Sequence, residues 1–272
     1  MRIGMAQLLV EGGEPERNLE RAAKLVRQAK TENCDLVLLP ETLDLAWTHP
    51  SAFNEAEPIP GKFSDFFCKL AAELNIWLCL GLTEKKGEGR YNTALLINNT
   101  GQIIHTYHKI NLLEVEFPFY QVGKDLNVVE TPFGNIGINI CADNYINSIH
   151  NAHVLARMGA QIILSPASWT VDHFVTEEMD PYRDKWIKPL SEIASLYDIV
   201  FVSVTSVGYI VGGPYEGKKM IGCSLAVNKE GILAQGEFNE FAGDLKVVDV
   251  NLKPLKWKGT QFDDLEKTES TK

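Results

Sequence analysis

The chain has 272 residues, a formal net charge of −10 and a hydrophobic content of 45%. This hydrophobic content is enough for a substantial buried core, whereas the acidic balance argues against a nucleic-acid partner, which requires a basic face. No apolar run approaches the roughly 20 residues of a membrane-spanning helix, so we expect no membrane partner.

The cysteines are five in number and form no close-spaced motif; they are Cys34, Cys68, Cys79, Cys141 and Cys223. An odd count, together with an N-terminus that lacks a long apolar leader, indicates reduced thiols in a cytoplasmic protein. We predict that the protein uses no cofactor and no metal.

The first third of the chain alternates apolar strands with amphipathic helices. Residues 2–9 are predicted to form a strand, and a turn through Pro15 leads into a helix with apolar residues at helical spacing. Residues 35–39 are predicted to form a fully apolar strand, and a second helix is predicted near 62–75.

The rest of the chain contains more strands than helices. The segment 110–125 breaks the pattern and contains Pro118, so we interpret it as an active-site loop. Two further helices are predicted near 148–158 and 180–197. Strands are predicted at 76–83, 91–98, 102–107, 126–130, 134–140, 161–165 and 199–205, with three more between 219 and 250.

This order of elements indicates an α/β protein with a mixed sheet, because strands alternate with helices in some places and form hairpin-like pairs in others. We predict one domain over residues 1–250 and a charged, polar tail over residues 251–272. The tail is predicted either to be a disordered end or to dock on another subunit.

Three predicted strands end at residues that can take part in chemistry. One ends at Glu41, the second at Lys109 and the third at Cys141. A thiol is a good nucleophile only as a thiolate, so Cys141 needs a base or a positive neighbour. A carboxylate, an ammonium and a thiol at strand ends therefore indicate a cysteine hydrolase.

This ordered set resembles the nitrilase, or carbon–nitrogen hydrolase, superfamily, which carries a Glu–Lys–Cys triad in the same chain order. The matching motifs are Leu-Leu-Pro-Glu41, Tyr107-His-Lys109 and Cys141-Ala-Asp143, and the resemblance covers about residues 1–250. It implies a fold that pattern alone cannot supply, a four-layer α-β-β-α sandwich with mixed sheets.

The resemblance also implies the roles of the site residues. Cys141 would attack the substrate and form a thioester, and Glu41 would take the thiol proton and later activate water. Lys109 would favour the thiolate and then stabilise the oxyanion, with a second hydrogen bond from the backbone N–H of Ala142. Glu116, the second glutamate of the family pattern, would accept from Lys109 or orient substrate and water.

Residues around the predicted strand ends are candidates for contact with the substrate. The family lines its pocket at the strand end that corresponds to Trp169, and Asn144 lies close to the thiol in sequence. A core-edge role for Trp169 is equally compatible with the pattern, and Trp47 is a weaker candidate. Asp143 is predicted to orient the turn after Cys141.

We therefore predict a hydrolase of non-peptide carbon–nitrogen bonds whose small-molecule substrate is a linear amide or an N-carbamoyl compound. A true nitrilase is the alternative within the family, although the loop after Lys109 lacks the features that we associate with nitrilases. A non-catalytic protein that retains the fold is the alternative from another class. The resemblance also implies a homodimer or higher homo-oligomer that pairs through the helices near 148–158 and 180–197.

The histidines allow two competing sites. A zinc site could use the pairs His105 with His108 and His150 with His153, but it would need further ligands of suitable geometry. A papain-like pair of Cys141 and His150 is also conceivable, although the surrounding motifs do not support it.

Overall fold

Residues 1–254 are described by a computed structural model, so the predicted role of the tail lies almost wholly outside the described residues. The α-helices are α1 (Pro15–Thr31), α2 (Ala52–Glu55), α3 (Lys62–Leu74), α4 (His150–Arg157) and α5 (Lys188–Tyr197). The strands are β1 (Arg2–Gln7), β2 (Leu36–Leu38), β3 (Trp77–Lys86), β4 (Gly89–Ile97), β5 (Ile103–His108), β6 (Val128–Thr131), β7 (Gly134–Ile138), β8 (Ile162–Ala167), β9 (Thr170–Val171), β10 (Val200–Thr205), β11 (Val207–Tyr209), β12 (Lys219–Ile221), β13 (Leu225–Asn228), β14 (Gly231–Gln235) and β15 (Asp244–Asp249).

Two six-stranded sheets form the middle of the molecule. The first has the strand order β15-β1-β2-β3-β4-β5, and the second has the order β14-β13-β10-β8-β7-β6. Both sheets are mixed, because their central strands pair in parallel and their outer strands pair antiparallel. Helices α1 and α3 cover the first sheet, and α4 and α5 cover the second. The predicted four-layer α-β-β-α sandwich with mixed sheets is confirmed.

The core forms because apolar side chains alternate across the strands of both sheets. Leu36 and Leu38 of β2 pack into the cluster between the two sheets, whereas Val37 and Leu39 pack into the cluster beneath α1 and α3. Successive side chains of a strand point to opposite faces, so a strand buried on both faces is apolar throughout.

The predicted helix over 180–197 differs from the observed structure at its start. Residues Arg183–Ile187 form a π-helical turn, and α5 begins only at Lys188. Pro189 has no backbone N–H and cannot donate to the carbonyl four residues earlier, so a continuous α-helical ladder cannot run through this segment.

The predicted strand count after residue 219 also differs from the observed one. Four strands, β12 to β15, occupy this stretch where three were expected. Gly222 and Cys223 adopt left-handed backbone conformations with φ of 72° and 63°, and these break the run between β12 and β13. The short strands β9 and β11, which pair with β12 in a third small sheet, were not predicted.

The loops that follow β2 and β8 meet at the boundary between the two sheets. The backbone N–H of Glu41 donates to the carbonyl of Ala167 over 3.3 Å, and the hydroxyl of Ser168 donates to the carbonyl of Glu41 over 3.3 Å. These contacts fix the end of one strand against the end of a strand in the other sheet. They place Glu41 beside the segment that leads to Trp169.

Candidate active site

A buried ammonium lies between two buried carboxylates. The Nζ of Lys109 donates to Glu41 Oε1 over 2.9 Å and to both carboxylate oxygens of Glu116 over 2.9 Å each. All three side chains are almost fully removed from solvent. The structure thus brings together three predicted site residues that lie up to 75 positions apart in the sequence.

Two further side chains donate to the same carboxylates. Asn92 Nδ2 donates to Glu41 Oε1 over 2.5 Å and to Glu116 Oε1 over 3.3 Å. Trp47 Nε1 donates to Glu116 Oε1 over 2.8 Å, so this tryptophan positions the second glutamate. Glu41 Oε2 is buried and has no hydrogen-bond partner among residues 1–254. One oxygen of Glu41 is therefore held by donors, and the other is available as a base.

Cys141 sits at a strained turn, with two residues between it and the end of β7. Its φ of 43° is in the left-handed region, which is uncommon for a residue with a side chain and recurs at functional sites. A 3₁₀ turn over Cys141–Asn144 begins at the thiol. The N–H of Ala142 lies in its first turn, where backbone N–H groups lack partners inside the helix.

The carboxylate of Asp143 holds this turn in place. It accepts from the hydroxyl of Tyr107 over 2.7 Å and from the backbone N–H of Ile140 over 2.9 Å. It also accepts from the backbone N–H and the side-chain amide of Asn111, over 2.9 and 2.8 Å. Asp143 therefore ties the thiol-bearing turn to β5 and to the loop after Lys109, which agrees with the orienting role predicted for it.

Asn144 is engaged by protein groups on both ends of its amide. It exchanges hydrogen bonds with Asn139 over 2.6 and 3.1 Å and donates to the hydroxyl of Ser165 over 2.9 Å. Its side chain is fully buried. These bonds hold the turn in place, and the predicted contact of Asn144 with a substrate stays a prediction.

Burial controls the protonation of the thiol. Burial raises the pKa of Cys141 well above its usual value, and the charge of Glu41 adds to this effect. Lys109 and a hydrogen bond from the backbone of Ser168 lower the pKa of Cys141, but they do not outweigh burial. The predicted influence of Lys109 on the pKa of Cys141 thus has the right sign, and burial acts in the opposite direction, toward the neutral thiol.

The charges of Lys109 and Glu41 depend on each other. Burial opposes the charge on Lys109, but the carboxylates of Glu116 and Glu41 outweigh it and raise the pKa of this lysine well above its usual value. Burial raises the pKa of Glu41, and the charge of Lys109 acts against that rise. A carboxylate with a raised pKa is a stronger base, which suits the removal of a thiol proton.

Four aromatic side chains pack against one another and form an aromatic wall; they are Tyr145, Trp169, Tyr182 and Trp186. The rings of Trp169 and Trp186 stack with centroids 4.6 Å apart and planes 14° apart, and Tyr182 packs on Trp169 at 5.0 Å. Tyr145, which directly follows the 3₁₀ turn of Cys141, packs on Trp186 at 4.9 Å. Trp169 is buried in this wall, so its predicted contact with the substrate stays a prediction.

The histidines do not assemble into either competing site within the described residues. His108 pairs with Glu84 at 2.6 Å, and His153 bonds to the hydroxyl of Tyr197 at 2.9 Å. Residues 1–254 contain no group of three or more His, Cys, Asp or Glu side chains that could hold a metal ion. His150 is exposed at the start of α4, whereas Cys141 is buried.

The sequence patterns missed three contributors to this site. Asn92 could have been found as a single buried amide within an apolar strand. The backbone N–H of Ser168 carries no side-chain signal, and the place of Trp186 depends on the π-helical turn. Trp47 was a weak candidate for substrate contact, and the structure instead bonds it to Glu116.

The sequence and the fold were compared with known proteins. Residues 2–255 match the family model of the carbon–nitrogen hydrolases. The chain belongs to the carbon–nitrogen hydrolase family of enzymes. No helix within residues 1–254 is both long enough and apolar enough to cross a bilayer.

Several curated relatives cover part of this chain. A nitrilase of Pyrococcus abyssi is 30% identical over 62% of this chain and 65% of its own length. The human deaminated glutathione amidase is 31% identical over 57% of this chain and 52% of its own. An omega-amidase of Xenopus tropicalis is 27% identical over 62% of this chain and 64% of its own length. The chain thus spans about half to two thirds of the length of these relatives.

Solved structures show the same fold. The NitN amidase from Nesterenkonia sp. AN1 matches with a TM-score of 0.79 and 20% identity, covering 100% of this chain and 97% of that one. A variant of the amidase from the same organism, in complex with butyramide, matches with a TM-score of 0.78 and 20% identity. This match covers 92% of this chain and 90% of that one. At this identity the similarity shows the fold alone.

Proposed function

We propose that this protein hydrolyses the carbon–nitrogen bond of a linear amide or an N-carbamoyl compound through a thioester at Cys141. The observation that carries the proposal is the buried ion cluster in which Lys109 binds Glu41 and Glu116 at 2.9 Å. Isolated charges are costly to bury, so a protein that keeps three of them together beside a thiol is expected to use them. Perturbed ionisable groups of this kind mark functional sites.

The first half of the reaction is acylation. Cys141 Sγ attacks the carbonyl carbon while its proton passes to Glu41 Oε2, the oxygen that no described donor holds. The ammonium of Lys109 and the N–H of Ala142 stabilise the oxyanion, and each such donor contributes about 3–4 kcal/mol to lowering the barrier. The carbon–nitrogen bond breaks, Glu41 gives its proton to the leaving nitrogen, and a thioester remains.

The second half is hydrolysis of the thioester. Water attacks the thioester carbon and gives a proton to Glu41. The carbon–sulfur bond then breaks, the acid leaves, and the sulfur of Cys141 takes the proton back from Glu41. Glu116 takes no proton in either half, since its two oxygens bind Lys109 and its task is to hold that ammonium in place.

An ammonia-release screen tests this proposal. The substrates are simple carboxamides, N-carbamoyl amino acids, N-carbamoyl amines and nitriles of matched size. Turnover of amides or carbamoyl compounds is the expected result. Turnover of nitriles alone would identify the protein as a nitrilase, and no turnover by the folded protein would favour a non-catalytic protein that retains the fold.

We also propose that the protein works in the cytoplasm. All five cysteines are free, and Cys34, Cys79 and Cys141 are buried. Free thiols persist in reducing compartments. Cell fractionation with antibody detection tests the location, and recovery with the periplasmic, secreted or membrane fraction would contradict it.

The exposed faces of α4 and α5 support a further proposal, that the protein is a homo-oligomer. Val154 on α4 and Leu196 on α5 are exposed, as are Ile146 before α4 and Met158 directly after it. The two helices contact each other, so these side chains belong to one side of the molecule. Apolar surface of this kind marks interaction sites, and a two-fold axis would let the patch meet its own copy.

A further inference from the structure

The segment from Glu41 to Thr48 carries unusual backbone strain. Thr42, Ala46 and Thr48 have φ of 42°, 69° and 56°. The left-handed region is uncommon for residues with a side chain, and such a conformation persists only where the surrounding structure fixes it. Contacts from outside the segment must therefore hold the chain in this shape.

Trp47 connects this strain with the reaction, because it lies between two of the left-handed residues. Its indole N–H donates to Glu116 Oε1 over 2.8 Å, and Glu116 accepts in turn from Lys109 over 2.9 Å. The direction of the indole depends on the backbone on either side of Trp47. A displacement of that backbone would move the donor away from Glu116 and loosen the hold on Lys109.

Tyr120 bonds to both of the segments that meet at this contact. Its hydroxyl accepts from the backbone N–H of Thr48 over 3.3 Å. Its own backbone N–H donates to the carbonyl of Glu116 over 2.9 Å. One residue thus fixes the strained segment that presents the indole and the turn that presents the carboxylate.

Burial makes the hydroxyl of Tyr120 important for this arrangement. Tyr120 is 3% exposed and Thr48 is 1% exposed. Burial raises the pKa of Tyr120, and the N–H of Thr48 acts against that rise. The hydroxyl therefore stays neutral and adds no negative charge beside Glu116. Its removal would leave a buried N–H without an acceptor, which is costly.

We propose that Tyr120 is a positioning residue for the reaction and that it holds Trp47 against Glu116, which keeps Lys109 where the oxyanion forms. This inference rests on the proposed function at Cys141. Tyr120 acts through Trp47 and touches no reacting atom. Loss of its hydroxyl should lower kcat and leave KM nearly unchanged, because the affected contact stabilises the transition state rather than the bound substrate.

The kinetics of Tyr120→Phe test the effect on the reaction, because this substitution keeps the ring and removes only the hydroxyl. We expect kcat for the best amide or carbamoyl substrate to fall by about tenfold to a hundredfold, as small displacements of catalytic groups do. Tyr197→Phe is the matched control. Tyr197 is also buried, its hydroxyl bonds to His153 at 2.9 Å, and its variant should keep the kcat of the wild type.

A double variant separates positioning from a general loss of structure. Trp47→Phe removes the indole N–H and keeps an aromatic ring. If Tyr120 acts through Trp47, the variant that carries both Tyr120→Phe and Trp47→Phe should have about the same kcat as Trp47→Phe alone. Losses that add in the logarithm of kcat would show a merely structural role and overturn the inference.

The indole N–H of Trp47 also provides a measurement that does not depend on activity. In protein isotope-labelled at the tryptophan indole nitrogens, Trp47→Phe identifies the nuclear magnetic resonance signal of Trp47 by its loss. Tyr120→Phe should shift this signal, and Tyr197→Phe should leave it in place. An unchanged signal in folded Tyr120→Phe would overturn the inference even if kcat falls.

The outcomes separate this inference from the function on which it rests. Wild-type kcat and an unshifted indole signal in Tyr120→Phe would overturn the role of Tyr120 and leave the hydrolase intact. Failure of the folded wild type to hydrolyse any amide or carbamoyl compound would overturn the proposed function, while the indole signal would still show whether Tyr120 holds Trp47. Melting temperatures of all variants control for folding.

Discussion

Lys109, Glu41 and Glu116 form one unit of charge at the centre of the site. Two carboxylates face one ammonium, and Lys109 contacts both of them. Removing Lys109 leaves two buried carboxylates without their cation, which is costly for stability as well as for the reaction. Removing the charge of Glu41 leaves the pair of Lys109 and Glu116 in place. The two substitutions are therefore expected to differ in stability more than in activity.

We predict that Glu41→Gln and Lys109→Met each lower the rate of the chemical step by about a hundredfold to a thousandfold or more, as for loss of other preorganised groups. Residues that act as a unit lose most of their effect together. The double variant should then be little slower than either single variant in single-turnover measurements on folded protein. Losses that add in the logarithm of the rate would show that the two residues act independently.

Asp44 should make stability depend on pH. Its carboxylate is buried and accepts from the backbone N–H of Thr83 over 3.1 and 3.0 Å. Burial, only partly opposed by these bonds, raises the pKa of Asp44 to about 7, whereas an unfolded aspartate titrates near pH ~3.9. Between these values the folded protein keeps a proton that the unfolded chain has lost. The free energy of unfolding therefore falls as the pH rises, by about 1.4 kcal/mol per unit.

We predict that Asp44→Asn flattens this dependence. Urea unfolding between pH 4.5 and 7.5 measures the free energy of unfolding of both proteins. The wild type should lose more stability than Asp44→Asn as the pH rises through this window. Parallel curves for the two proteins would mean that Asp44 is ionised throughout and has no raised pKa.

At the scale of elements, the site depends on how closely β2 and β3 approach each other at Gly81. A Cβ added there would lie 2.6 Å from the Cα of Glu41 and 2.8 Å from the backbone N of Thr42. Real Cβ atoms do not come this close to backbone, so the chain carrying Glu41 must move. We predict that Gly81→Ala costs about 1–3 kcal/mol of stability and also lowers kcat.

Gly4→Ala is the matched control for this variant. Its added Cβ would meet the Cβ of Ala29 at 3.0 Å and a methyl of Leu245 at 3.3 Å, on the α1 side of β1. It should lower the melting temperature and leave kcat unchanged at temperatures where the protein is folded. Equal kcat values for wild type and Gly81→Ala would show that the strand end tolerates the displacement.

Sequence patterns correctly predicted the strands that lead to the three candidate site residues. The segments before Glu41, Lys109 and Cys141 are strands or lead out of strands, as predicted, and β2 before Glu41 is buried on both faces. The aromatic wall could not be predicted in this way. Trp169 and Trp186 meet only because the chain makes a π-helical turn before Pro189, and no periodicity encodes that turn.

The assignment of Asn144 shows the same limit within the site. Its closeness to Cys141 in sequence suggested contact with a substrate. The structure adds bonds from this side chain to Asn139 and Ser165, which closeness in sequence did not indicate. Asn92 is the opposite case, because it lies far from the other motifs in the sequence. Its hydrogen bond to Glu41 becomes visible only once the strands pair in the fold.

At the scale of the whole molecule, α4 and α5 supply the expected interface. Val154 is 43% exposed on α4. We predict that the wild type has at least twice the mass of one 30.4 kDa chain, and that Val154→Asp lowers it, because an interface core excludes charge. Light scattering at micromolar concentration measures both masses.

Ile232→Asp provides the control for the interface, because Ile232 is 49% exposed on β14 and belongs to neither helix. This variant should keep the mass of the wild type. A wild type with the mass of one chain would contradict the proposed oligomer. A mass that falls for Ile232→Asp but not for Val154→Asp would place the interface elsewhere.

The rate of ammonia release by Cys141→Ala tests the central claim most directly, with the best amide or carbamoyl substrate from the screen. Cys68→Ala, on α3 and away from the ion cluster, is the control for loss of a thiol. We predict that Cys141→Ala folds with a melting temperature near that of the wild type and has no measurable turnover, while Cys68→Ala remains active. Turnover at the wild-type rate by folded Cys141→Ala would contradict a thioester at Cys141.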